Sequence, residues 1–204
     1  MIKIIGTLLF IFATIALAQS NTLMVNFQPR AEQACTGDVS GVGYAASLND
    51  CIDLDTVSYE FIVTALRAGW KIFDDGTCAG NFTDDSYKNG TCVTDLQFTE
   101  YIAPTPFATM YISQEPIVDV GSGNIIGAIY THETCGLGSL VAYAYATNGT
   151  TLTTDDGTVL TLTCDGEQPK GQQCLSGSCK SYNFDTNCEQ SFSNYYLKIT
   201  CSSL

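Results

Sequence analysis

Apolar residues along most of this chain come in short runs that alternate with polar or small ones. Examples are "TLMVNF" at 22–27, "FATMYIS" at 107–113, "LVAYAYAT" at 140–147, "TVLTLTC" at 158–164 and "YYLKITC" at 195–201. The runs are rich in β-branched and aromatic residues and end at Gly, Asn, Asp or Ser, as strands with one covered face do. The stretch "DTVSYEFIVTALRAG" also fits a helix, with Asp55 as its start and Gly69 as its stop. Its "YEFIV" centre favours a strand. The pattern predicts an all-β chain, either a disulfide-stapled antiparallel sandwich or two small β subdomains.

The beginning departs from this pattern. Lys3 precedes an uncharged run from Ile4 to Ala18 that ends on the small residues Ala16 and Ala18. This is the form of a secretory leader, here residues 1–18, because the run of fifteen residues is short of the ~20 that span a bilayer. Further along, "APTP" at 103–106 interrupts ladder hydrogen bonding with alternating prolines. It predicts a linker between a β subdomain over 19–102 with four cysteines and another over 107–204 with six.

Charge narrows the partners. The chain carries 8 basic and 21 acidic residues, and one of the basic ones, Lys3, leaves with the leader. So acidic a surface repels phosphate backbones and anionic headgroups, which excludes nucleic acid and membrane surfaces. No later apolar stretch is long enough to insert in a membrane, so a secreted, extracellular protein is expected.

The ten cysteines are Cys35, Cys51, Cys78, Cys92, Cys135, Cys164, Cys174, Cys179, Cys188 and Cys201. An even number behind a leader predicts full bridging. Zinc is disfavoured by the absence of any Cys-x2-Cys and by a single histidine, His132. Joining neighbours along the chain gives Cys35–Cys51, Cys78–Cys92, Cys135–Cys164, Cys174–Cys179 and Cys188–Cys201. A repeat supports this scheme. "FDDGTCAGNFTDDSYKNGTC", from Phe73, and "FDTNCEQSFSNYYLKITC", from Phe184, share Phe-Asp, Cys, a later Phe with Thr or Ser, and a final Thr-Cys. "AIYTHETC" is a partial third echo, Tyr130 standing to Cys135 as Phe73 stands to Cys78.

Three Asn-x-Thr triplets begin at Asn81, Asn89 and Asn148 and are predicted glycan acceptors in a surface hairpin and turn. Asp74, Asp75, Asp84, Asp85, Asp155 and Asp156 could offer oxygens to calcium, but they lack EF-hand spacing and are ordinary turn residues. No metal and no cofactor is expected. A lone histidine, bridged cysteines and the lack of a Gly-x-Ser-x-Gly elbow leave no nucleophile–base pair. Glu60, Glu100, Glu115 and Glu133 are available to a two-carboxylate glycosidase, yet no spacing brings two of them together, and no catalytic residue is assigned. The sequence therefore predicts a secreted, glycosylated, non-enzymatic binding or matrix module. Its partner would be an extracellular protein or glycan, and among glycans a neutral carbohydrate suits the acidic surface. The alternatives are a carboxylate-dependent glycoside hydrolase, or a protease inhibitor or signalling ligand displaying "CLSGSC", Cys174 to Cys179.

Overall fold

The computed structural model describes residues 23–48, 50–53, 57–64, 66–94, 107–114, 123–153, 156–191 and 194–202. The leader and the 103–106 linker lie outside them. The described chain is all β. Its strands are β1 (Met24–Pro29), β2 (Val42–Ser47), β3 (Cys51–Asp53), β4 (Ser58–Thr64), β5 (Arg67–Phe73), β6 (Phe82–Lys88), β7 (Cys92–Thr94) and β8 (Phe107–Ser113). After these come β9 (Ile125–Tyr130), β10 (Leu140–Ala146), β11 (Thr150–Thr153), β12 (Val159–Asp165), β13 (Gln168–Leu175), β14 (Ser178–Asn183), β15 (Glu189–Gln190) and β16 (Tyr196–Cys201). The ambiguous stretch after Asp55 is strand where it is described, in β4 and the start of β5. Among the described residues, no helix is long and apolar enough to cross a membrane.

One wide antiparallel sheet runs β15-β16-β9-β10-β2-β1-β8-β7, and two meanders, β3-β4-β5-β6 and β11-β12-β13-β14, form separate four-stranded sheets. Alternation along β1 and β2 sends Val25, Phe27, Tyr44 and Ala46 into one core. Ile52, Tyr59, Phe61, Ala68 and Trp70 enter that core from the first meander, and Leu152 and Leu162 pack against it from the second. Phe27 joins the layers, its ring 5.3 Å from Trp70 edge to face and 6.4 Å from Phe61. This is the sandwich of the two expected architectures. The wide sheet takes β1, β2 and β7 from before 103–106 and the rest from after it.

The chain passes through the same path twice. β1 and β2 form a hairpin, β3 to β6 a meander, and β7 and β8 a hairpin that returns β8 to β1. β9 to β16 repeat that order, with β16 returning to β9. The halves join through β2 and β10, where Tyr44 faces Ala144, Ala46 faces Ala142 and Val42 faces Ala146. A pseudo-two-fold axis therefore passes between Tyr44 and Ala144. Phe27 faces Tyr44 in the first half as Gly127 faces Ala144 in the second. By that correspondence Cys35 matches Cys135, Ser47 matches Thr147 and Asp50 matches Thr150.

One disulfide is repeated by the duplication, Cys35–Cys92 in the first half and Cys135–Cys188 in the second, and four of the five pairings expected from chain proximity are corrected. The bonds are Cys35–Cys92, Cys51–Cys78, Cys135–Cys188, Cys164–Cys201 and Cys174–Cys179. Only Cys174–Cys179 joins neighbours as expected; it closes a two-residue turn in which Ser176 and Gly177 both have positive φ. Cys35, Cys78 and Cys135 each follow a strand by the same tight turn and adopt left-handed φ of 52°, 53° and 46°. Each reaches past one neighbouring strand to an edge strand: Cys92 on β7, Cys51 on β3, and Cys188 just before β15. Strand pairing brings these residues together although they are far apart in sequence, and loop length alone cannot anticipate that. The expected duplication of Phe73–Cys92 in Phe184–Cys201 is replaced by the larger one. The echo between the Phe73 and Tyr130 turns is a real likeness of conformation, and the Cys35 turn is its third instance.

Close approaches of backbone fix two glycines. A Cβ on Gly43 would lie 2.2 Å from the Tyr145 ring, and one on Gly69 would lie 1.8 Å from the Asp85 carbonyl oxygen. The second contact is with backbone, so it can be relieved only by parting β5 from β6. Gly69→Ala is expected to lower stability by about 3 kcal/mol, at the upper end for forced overpacking, read as a lower urea midpoint.

Candidate functional site

Several residues of functional interest occupy structural roles. Trp70 is buried and stacks on Tyr87 at 5.6 Å. Tyr195 is buried, donating its hydroxyl to the Cys51 carbonyl at 2.9 Å and accepting from the Asp53 N–H at 3.2 Å. Glu60 pairs with Lys71 at 2.7 Å, Glu133 lies in the turn after β9, and Glu100 and Glu115 lie outside the described residues. His132 is exposed, its Nδ1 3.3 Å from the Thr134 hydroxyl. All ten cysteines are bonded.

Asp84 and Asp85, expected in a turn, lie instead within strand β6, while other aspartates close turns on themselves. Asp75 accepts from the N–H and hydroxyl of Thr77, and these bonds hold its carboxyl below the usual range. Asp156 accepts from the Thr158 N–H and Asp185 from that of Asn187 in the same way. Among the described residues no three His, Cys, Asp or Glu gather to hold a metal ion. Asp155 lies outside them.

Asn81, Asn89 and Asn148 are exposed. Asn81 stands at the entry to β6 rather than in a hairpin closed by Cys78 and Cys92, and Asn89 stands at its exit. The side-chain oxygens of Asn89 and Asn148 accept from the N–H groups of Ile112 and Cys164, both at 3.1 Å. Those bonds engage the side-chain oxygen, whereas a glycan is carried by the amide nitrogen.

Two cavities stand out. The smaller, about 60 Å³, is apolar and lies between the first meander and β2 and β10, over Ala46, Ala142 and Ala144. The larger, about 220 Å³, is polar and lined by Asp50, Cys51, Thr131, Gly138, Ser139, Leu140 and Val141. It sits where the halves meet, beyond the Ala46–Ala142 end of the β2–β10 ladder. A register shift between Leu140 and Ala142 makes Val141 a bulge there, and a 3₁₀ turn at Leu137–Ser139 forms the adjoining wall. Ser47 Oγ is within hydrogen-bond reach of the Asp50 carboxylate and 3.0 Å from the Val141 carbonyl. The Ser139 hydroxyl donates to the Gly136 carbonyl at 2.9 Å, and that of Thr131 to the Ser139 carbonyl at 3.4 Å.

Among the described residues the cavity thus offers one carboxylate, two hydroxyls and peptide groups, with no cation in its lining. Beside it, Tyr130 pairs with Leu140, and burial pushes the Tyr130 hydroxyl up. Burial and the nearby Tyr130 push Tyr143 up to about 12, so both stay protonated at neutral pH. No motif or spacing along the chain signals this grouping. Asp50, Thr131 and Ser139 come from separate turns, and each looks like ordinary turn chemistry.

Over residues 2–201 the chain matches the family described as counting factor-associated protein A/B/C. No curated protein and no solved structure matches it. The match runs through both halves of the duplicated fold, and with the five disulfides it indicates an extracellular protein. The chain belongs to the counting factor-associated protein A/B/C family.

Proposed function

We propose that this is a secreted, glycosylated, non-enzymatic binding protein that works in association with an extracellular counting factor. The observation that supports the reading is the family match over residues 2–201, whose description names a counting factor-associated protein. Disulfides that tie edge strands β3 and β7, and the turn before β15, give a rigid display surface suited to binding. The test is to recover the tagged, secreted protein and its counting factor together by gentle affinity capture and size exclusion. Co-migration that survives moderate salt is expected, and separate elution at low salt would overturn the reading.

A neutral carbohydrate is the ligand proposed within that reading, because the polar cavity at the seam joins a carboxylate to hydroxyls without a cation. Pull-down on neutral polysaccharides should retain the protein while releasing no reducing ends. Released ends that vanish on Glu60→Gln, Glu100→Gln, Glu115→Gln or Glu133→Gln would make it a hydrolase instead.

Glycans are expected at Asn81, Asn89 and Asn148 of protein from a eukaryotic host. Enzymatic deglycosylation should lower the mass and convert each acceptor to Asp. An unmodified Asn81 or Asn89 would mean that the entry or exit of β6 is covered in the secreted protein.

A further inference from the structure

The two ends of the β2–β10 seam are an internal comparison, since the pseudo-two-fold carries one onto the other. At the far end, the Thr147 hydroxyl accepts from the Gly41 N–H at 3.0 Å and lies 2.8 Å from the hydroxyl of Thr150. The Thr147 N–H donates to the Gly41 carbonyl at 3.0 Å, so the backbones close against one another. At the near end the matching residues are Ser47, Asp50 and Val141, and the single proton of the Ser47 hydroxyl has two acceptors within reach, the Asp50 carboxylate and the Val141 carbonyl. The same positions meet in both places, although the Thr147 hydroxyl accepts from the opposite backbone and the Ser47 hydroxyl donates. At the near end Val141 bulges, a cavity of about 220 Å³ lies beside it, and a carboxylate at Asp50 stands where the other half has the Thr150 hydroxyl. Thr150 makes the structural hydrogen bond without a charge. The fold therefore does not require the negative charge at Asp50.

We infer that the near end of the seam is a binding site for one neutral sugar unit, in which Asp50 accepts hydrogen bonds from sugar hydroxyls and Thr131 and Ser139 supply further hydroxyl contacts. A carboxylate accepts from two adjacent hydroxyls at once, and such charge-assisted bonds are stronger than those between neutral groups. Ser47 holds the carboxylate in place. The absence of a cation from the lining disfavours uronic, sulfated and phosphorylated sugars, which the carboxylate would repel. This inference rests on the neutral-carbohydrate reading above and assigns it a place.

The test uses the secreted full chain and the methyl glycosides of glucose, galactose, mannose and N-acetylglucosamine as probes, with glucuronate as the charged comparison. Ligand-detected NMR should show at least one neutral glycoside binding the wild type more tightly than glucuronate. The key variant is Asp50→Thr, which installs the residue of the matching position. Its thermal midpoint should stay within a few degrees of the wild type, while affinity for the neutral glycoside falls at least tenfold. Ser139→Trp, which fills the cavity, should also abolish binding. If wild type and Asp50→Thr bind a glycoside equally, the site is wrong while the carbohydrate reading stands. If the wild type binds none of the neutral glycosides, both are overturned. If Asp50→Thr unfolds, the charge is structural and the inference fails on that ground.

Discussion

Replacing Cys35 and Cys92 together by serine should lower stability by about 4 kcal/mol, since their bond closes a loop with a sequence separation of 57. The matching pair, Cys135 and Cys188, with a separation of 53, should cost nearly the same. Removing Cys174–Cys179, with a separation of 5, should cost about half as much. Urea unfolding of the three double variants ranks them. Peptide mapping of unreduced protein should recover Cys35 joined to Cys92 and Cys51 to Cys78. A Cys78–Cys92 fragment would overturn the connectivity and the shared-turn interpretation with it.

Trp70→Ala should cost about 4 kcal/mol, the range for emptying a buried indole site. Trp70 touches Phe27 of the wide sheet on one side and Tyr87 of the meander edge on the other, so its loss loosens one layer from the other. The near-ultraviolet circular dichroism of the tyrosines should weaken while the far-ultraviolet strand signal persists. Trp70→Phe, which keeps a ring against Phe27, should recover more than half the loss. Equal damage from both variants would show that the indole does more than fill space.

How far the sequence carried each of these conclusions depended on the range of the interaction involved. β8 and β10 follow directly from the alternation of "FATMYIS" and "LVAYAYA", because period-two patterning acts between adjacent residues. Four of the five cysteine pairs did not follow; Cys35, for one, meets Cys92 only after β1 has paired with β8 and β8 with β7. The likeness of Phe73–Cys78 to Tyr130–Cys135 marks a shared turn conformation and not the duplication, in which Cys135 corresponds to Cys35. Strand register constrains which face a residue occupies and leaves its identity free, so Phe27 could diverge from Gly127 and Tyr44 from Ala144. The seam cavity was hidden for a related reason: Asp50 and Thr150 correspond only once the path of both halves is known.

The duplicated path also bears on how the chain assembles. No disulfide crosses from β1–β8 to β9–β16, so the first half can oxidise while the second is still being synthesised. Until β10 arrives, β2 is an open edge with unpaired peptide groups. The β10 of a neighbouring chain fits that edge as well as the chain's own does, in the same register. At high concentration during export, halves of different molecules are therefore expected to exchange partners, giving interlocked dimers that dilution alone resolves slowly.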